Sequence, residues 1–188
     1  MTDLMPVRTT PMPEEMQLLL TDYPRDAWDA HPNFKRATRQ WMGAHQMFRQ
    51  LAEVTRTETE GFLDKTRDAH DFAGRLSVYG NLLVRNLQGH HHWEDHSYFP
   101  ELSAADPRFD RGLEILEKDH EALDGILDAF TSASNRVIKL IQLDEAQARD
   151  EAGGVHEMAS GIEALLDRHL TDEEDLAVPI ILHHKLRG

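Results

Sequence analysis

A chain of 188 residues without a single cysteine carries no disulfide, no thiolate zinc site and no iron–sulfur cluster. Its 34 acidic residues outweigh 20 Lys and Arg, and the formal charge of -14 repels nucleic-acid phosphate and anionic lipid, so neither nucleic acid nor membrane is an expected partner. Apolar residues make up 40% and aromatic ones 7%, strand-like runs of Val, Ile, Thr and Tyr are nearly absent, and the expected product is an all-helical domain with a substantial core.

The opening MTDLMPVRTTPMPEEM lacks the basic start and continuous apolar run of a secretory signal. No stretch approaches the ~18 to 20 apolar residues that a membrane-crossing helix needs. The expected location is the cytoplasm. Residues 1–33 are rich in proline (Pro6, Pro11, Pro13, Pro24, Pro32) and read as an arm with one short helix near Glu14–Leu20. Trp28 and Phe34 would pin it onto the rest, a helical bundle spanning residues 34–188.

A first long helix is expected from Phe34 to about Arg56, with Trp41, Phe48 and Leu51 on its apolar face and His45 between them. A second runs from about Thr66 to Tyr98, and Pro100 is expected to end it. Its glycines, Gly74, Gly80 and Gly89, allow a kink or a close helix contact. Asp106-Pro107 is a good helix start. The third helix then runs to about Leu143, with Leu113, Leu116, His120, Leu123, Leu127 and Phe130 on one side. Gly153-Gly154 interrupts the next segment, so the fourth is expected over Val155–Leu176, before Pro179, with Asp144–Glu151 an extra turn or an early start. Short connections between long helices predict an antiparallel up-down-up-down four-helix bundle with an N-terminal extension.

The chemistry lies in one spacing that occurs twice. His90 precedes Glu94 by four positions, and His169 precedes Glu173 by four. A helix turns once per about 3.6 residues, so each pair stands on one face. Those faces continue the stripes Leu83, Leu87 and Ile162, Leu166, so both carboxylates point inward. Burying an ionised carboxylate without a partner is very costly; a bound cation offsets that cost. Any one of these histidines alone would read as a hydrogen-bonded core residue. One per helix, two of them paired with Glu, points to a metal.

In the run His90-His91-His92 successive side chains diverge by about 100°, so only one or two face inward. The stripe favours His90, with His91 the alternative, while His92 and His96 fit a solvated face. Asp124, one turn after His120, is either a further ligand or an acceptor for a ligand imidazole. Tyr98 and Trp41, one turn from Glu94 and His45, belong around the site rather than in it. His31, His70, His156, His183 and His184 show no such pairing.

Four segments now carry a resemblance: "GAHQMFRQL" with His45, "HHHWEDHSYFPEL" from His90, "LEKDHEALDGIL" with His120, and "HLTDEEDLAVPI" from His169. Over most of residues 35–180 the chain resembles the hemerythrin-like (HHE cation-binding) domains. The resemblance implies a four-helix bundle holding two iron ions, bridged by carboxylates and an oxo or hydroxo group. It implies His45, His90, Glu94, His120, His169 and Glu173 as ligands. One departure concerns the third helix: oxygen carriers of that family place a second His one turn after the first, where this chain has Asp124, which removes a nitrogen ligand.

Imidazole and carboxylate suit iron, manganese and zinc alike. The nitrogen-rich set favours the ferrous state, which ranks binding of O2, NO or peroxide, for sensing, storage or iron handling, above enzymatic turnover. The alternatives are a di-iron peroxidase, catalase-like or ferroxidase activity, with Tyr98 or Asp124 as proton donor, and a metal-ordered module read by a protein partner.

Overall fold

The computed structural model describes residues 8–186. Residues 1–7 of the expected arm, Pro6 among them, and residues 187–188 lie outside the described residues. All regular structure among the described residues is helical. The α-helices are α1 (Leu18–Asp22), α2 (Arg36–Leu63), α3 (Ala69–Arg75), α4 (Asn81–Trp93), α5 (Phe99–Ala105), α6 (Asp110–Ile141) and α7 (Glu145–His184). None is long and apolar enough to cross a membrane.

Helix α7 packs along both α2 and α6. Between Ala69 and Ala105 the chain forms one continuous rod, in which α3, α4 and α5 are joined by π-helical turns at Leu76–Gly80 and Glu94–Tyr98. A π turn adds a residue to the helical repeat and shifts every side chain beyond it. Gly80 closes the first of these turns, where an added Cβ would stand 3.4 Å from the ring of Phe130 on α6. The second turn contains Glu94.

Several boundaries differ from the sequence expectation, each for a local reason. Helix α2 continues past Arg56 to Leu63 because its last turn buries Phe62, which stacks on Phe72 with centroids 4.4 Å apart. The rod begins at Ala69 rather than Thr66: the Asp68 carboxylate accepts from the amides of His70 and Asp71 and caps the helix there. Pro100 does not end the rod. It lies just after a π turn, where no α-type bond remains for its missing N–H to break. Asp106 does start a helical segment, accepting from the Arg108 amide at the head of a 3-10 turn that leads into α6.

The largest difference is α7. Asp144 caps it through the amides of Ala146 and Gln147. It then passes without a break through Gly153-Gly154 and through Pro179, and ends at Lys185 with φ 57. Tertiary burial overrides the two breakers: Ala148, Ala152 and Val155 are packed before and after the glycines, and Val178, Ile180, Ile181 and Leu182 around the proline.

From the segment before α2, Met12, Met16, Leu19, Trp28 and Phe34 pack with Leu176, Ile180 and Ile181 of α7. The expected short helix there is a 3-10 turn at Glu14–Met16 followed by α1.

Nothing lies within 4 Å of a Cβ built on Gly153. Glycine inside a helix costs about 0.5–1 kcal/mol relative to alanine. Gly153→Ala is therefore expected to raise the thermal midpoint by about 1–4 °C, and a midpoint that stays or falls in calorimetry would contradict an unbroken α7.

Candidate metal centre

A polar layer divides the core into two apolar clusters. On α2, His45 lies between Trp41 and Phe48. In the rod, His90, His91 and Glu94 lie between Leu87 and Tyr98. His120 on α6 lies between Leu116 and Leu123, and on α7 His169 and Glu173 lie between Leu166 and Leu176. Phe48, Leu87, Leu123 and Leu166 belong to one cluster; Trp41, Tyr98, Leu116 and Leu176 belong to the other.

The layer holds two groups of side chains, each with its potential ligand atoms within 4.8 Å of one another: His45, His90, Glu94 and Glu173, and then His91, His120 and His169. In the first, the Nε2 atoms of His45 and His90 face each other at 3.0 Å; in the second, those of His120 and His169 face each other at 3.1 Å. Two nitrogens that share one ion at ~2.1 Å are separated by roughly 3.0–3.4 Å, so both pairs have the separation of neighbouring ligands.

The two carboxylates lie between the groups. Glu94 Oε1 is 2.7 Å from His90 Nε2 and 3.9 Å from His45 Nε2, while its Oε2 is 3.7 Å from His120 Nε2. Glu173 Oε2 is 3.5 Å from His45 Nε2 and 3.8 Å from His169 Nε2. Trp41 donates its indole N–H to Glu94 Oε1 at 2.6 Å. Both Glu173 oxygens, Glu94 Oε2 and both ring nitrogens of His91 are buried without a hydrogen-bond partner. Buried polar atoms are rarely left so. Here they converge on one interior region, a set of donors that could hold a cation.

Charge in the layer follows burial. Burial pushes Glu173 well above the usual carboxylate range, and the neighbouring Glu94 charge adds to it. For Glu94 burial acts the same way, but His45 and His90 outweigh it and hold this carboxyl well below its usual value. Burial lowers His91 and His169 to about 4 and lowers His120 as well. Their imidazoles are neutral at pH 7, the form that binds metal.

Behind the layer stands an outer ring of carboxylates. Glu174 Oε1 is 3.0 Å from His45 Nδ1, Asp95 Oδ1 is 2.7 Å from His120 Nδ1, Asp124 Oδ1 is 3.5 Å from His91 Nδ1, and Asp119 Oδ2 is 3.6 Å from His169 Nδ1. An acceptor at one ring nitrogen orients the imidazole and raises the donor strength of the other.

The structure thus brings His45, His90, Glu94 and Glu173 together, and brings His120 and His169 into the adjoining group. Of His90 and His91 it places one in each group. The turn between successive residues aims His90 at α2, 5.1 Å from the His45 ring, and His91 at α6, stacked 4.0 Å from His120. Asp124 joins neither group; its side chain is 45% exposed and it faces His91 from outside. Tyr98 is buried and meets Trp41 edge to face at 5.2 Å. His92 and His96 are exposed, and His31, His70, His156, His183 and His184 join neither group. Sequence reasoning missed Asp95, Asp119 and Glu174. Each adjoins an inward residue in sequence, but Asp119, next to His120, serves His169 on another helix.

The family model of the hemerythrin HHE cation-binding domain matches residues 36–181, and the chain belongs to that family. No curated protein and no solved structure matches it significantly.

The buried histidines set a pH dependence. In the unfolded chain they take up protons near pH 6.5; in the fold His91 and His169 do so only near 4. Between those values the unfolded state binds more protons, so the metal-free protein loses stability as pH falls from about 6.5 to about 4. Glu173, raised in the fold, acts in the opposite sense and offsets part of that loss. Urea unfolding of metal-free protein across this range checks it; a flat or inverted profile contradicts the neutral buried imidazoles.

Proposed function

We propose that this chain is a cytoplasmic non-haem di-iron protein that binds O2 or a related small molecule, NO or peroxide, for sensing, storage or iron handling. One observation carries the reading: two facing imidazole pairs with Glu94 and Glu173 between them, all buried except His90 at the edge, with unpartnered carboxylate oxygens and the unpartnered His91 ring among them. The proposed frame is the up-down-up-down four-helix bundle of the family.

In this reading His45 and His90 hold one iron; His91, His120 and His169 hold the other; Glu94 and Glu173 bridge them. His91 supplies the nitrogen that Asp124 does not, from the rod instead of from α6. Two irons so held would supply the electrons and the open coordination position that such a ligand requires. The group of His45 and His90 offers fewer nitrogens than that of His91, His120 and His169, so a small ligand would be accommodated on that side. His90, with 10% of its side chain exposed, stands there nearest to solvent. Trp41 fixes Glu94 through its indole N–H, and Phe48 and Tyr98 keep water away on either side.

Untagged protein is expected to take up about two irons per chain and to show near-ultraviolet charge-transfer absorption after air. His90→Ala and Glu173→Ala should each lower iron stoichiometry, and His91→Ala should lower it too. Unchanged loading in all three sinks the assignment; a tightly held zinc pair without absorption sinks the oxygen chemistry. Sustained peroxide consumption by the iron-loaded protein would favour turnover over binding.

A further inference from the structure

Two arginines lie before residue 36, where the family match begins, and both reach the carboxylates behind ligand histidines. Arg25 donates from Nη1 to Glu174 Oε2 at 2.8 Å, while Glu174 Oε1 meets His45 Nδ1. Its Nε donates to Asp175 at 2.6 Å and its Nη2 to the Thr171 carbonyl at 3.0 Å, and its guanidinium lies over the Trp28 ring. Arg8 donates from Nη2 to Asp119 Oδ2 at 2.7 Å and to Asp172 Oδ2 at 2.6 Å, while Asp119 faces His169 Nδ1. Arg8 also accepts at its carbonyl from Arg168.

Each arginine therefore backs a different half of the layer. Arg25 stands behind His45 and the first group; Arg8 stands behind His169 and the second. From within the bundle Arg49 Nη1 also reaches Glu174, at 3.0 Å, and Arg168 Nη2 approaches Asp119 at 3.6 Å. Asp95 and Asp124, behind His120 and His91, have no arginine within ion-pair distance among the described residues.

We propose that Arg8 and Arg25 are positioning residues of the metal centre, which pin Asp119 and Glu174 and moderate the donor strength of His169 and His45. This rests on the metal reading above. A carboxylate bound by a guanidinium draws less on the imidazole proton, so the imidazole gives less to its ion. The added positive charge favours the lower oxidation state of an ion nearby. The segment before α2 thereby sets the affinity and potential of a site whose ligands all lie beyond it in sequence.

The test uses full-length Arg8→Gln and Arg25→Gln, with Arg8→Lys and Arg25→Lys as charge-retaining partners. Cobalt(II) is titrated against a competing chelator and read by visible absorption, and the midpoint potential is measured on the iron-loaded protein. A change at a carboxylate touching a ligand histidine alters affinity by about 10- to 100-fold. One layer further out, each Gln variant is expected to bind one of two cobalt ions about fivefold more tightly and to lower the midpoint potential, with the Lys variants near wild type. Equal titrations and potentials in wild type and both Gln variants overturn the proposal. So does weaker binding in Gln and Lys alike, which marks a packing role only. A wild type that takes up no cobalt defeats the metal reading itself, and a wild type that binds cobalt but not iron leaves the cobalt comparison to decide.

Discussion

The structure turns on a buried layer of five imidazoles and two carboxylates between two apolar clusters. Bare charges in such surroundings are very costly. Here His91, His120 and His169 are kept neutral by burial, one carboxyl is held ionised by neighbouring imidazoles, and the other is driven toward its neutral form. That arrangement balances without metal only by leaving donors and acceptors unpaired. Bound metal would satisfy many of them together, in keeping with a cation-binding domain rather than an ordinary polar core.

The rest of the fold follows from delivering those side chains to one level. Four long segments cross the layer, and α2, α6 and α7 each give one turn to it, with apolar turns above and below. The rod gives more than one turn's worth. His90 and His91 diverge toward different neighbours, and the π turn at Glu94–Tyr98 begins where Glu94 must point between both groups. Breaks in regular helical repeat are frequent at functional sites for this reason: they re-aim side chains that a regular helix would send elsewhere.

The outer carboxylates extend the design. Glu174, Asp95 and Asp119 come from helices that do not carry the histidines they face, so each imidazole is oriented across a helix interface. Arg8 reaches Asp119 and Arg25 reaches Glu174 from before α2, beside Arg49 and Arg168 from within the bundle, so the layer is backed first by carboxylates and then by guanidiniums, two of which lie outside the part of the chain that the family match covers.

Composition and 3.6-residue periodicity sufficed for the helical class and for the inward faces of His45, Glu94, His120 and Glu173, because each depends on neighbours within a turn or two; the family came from the resemblance of four short segments. The helix ends at Pro100 and Pro179 were misjudged, since a proline's local cost was outweighed by burial and by a π turn that no short window reveals. The pairing of His90 with α2 and His91 with α6 likewise depended on which helix stood opposite. So did the distribution of Asp95, Asp119 and Glu174 among histidines of other helices. A sequence pattern states which side of a helix faces inward; only packing decides what it meets there, because that contact is made between segments tens of residues apart.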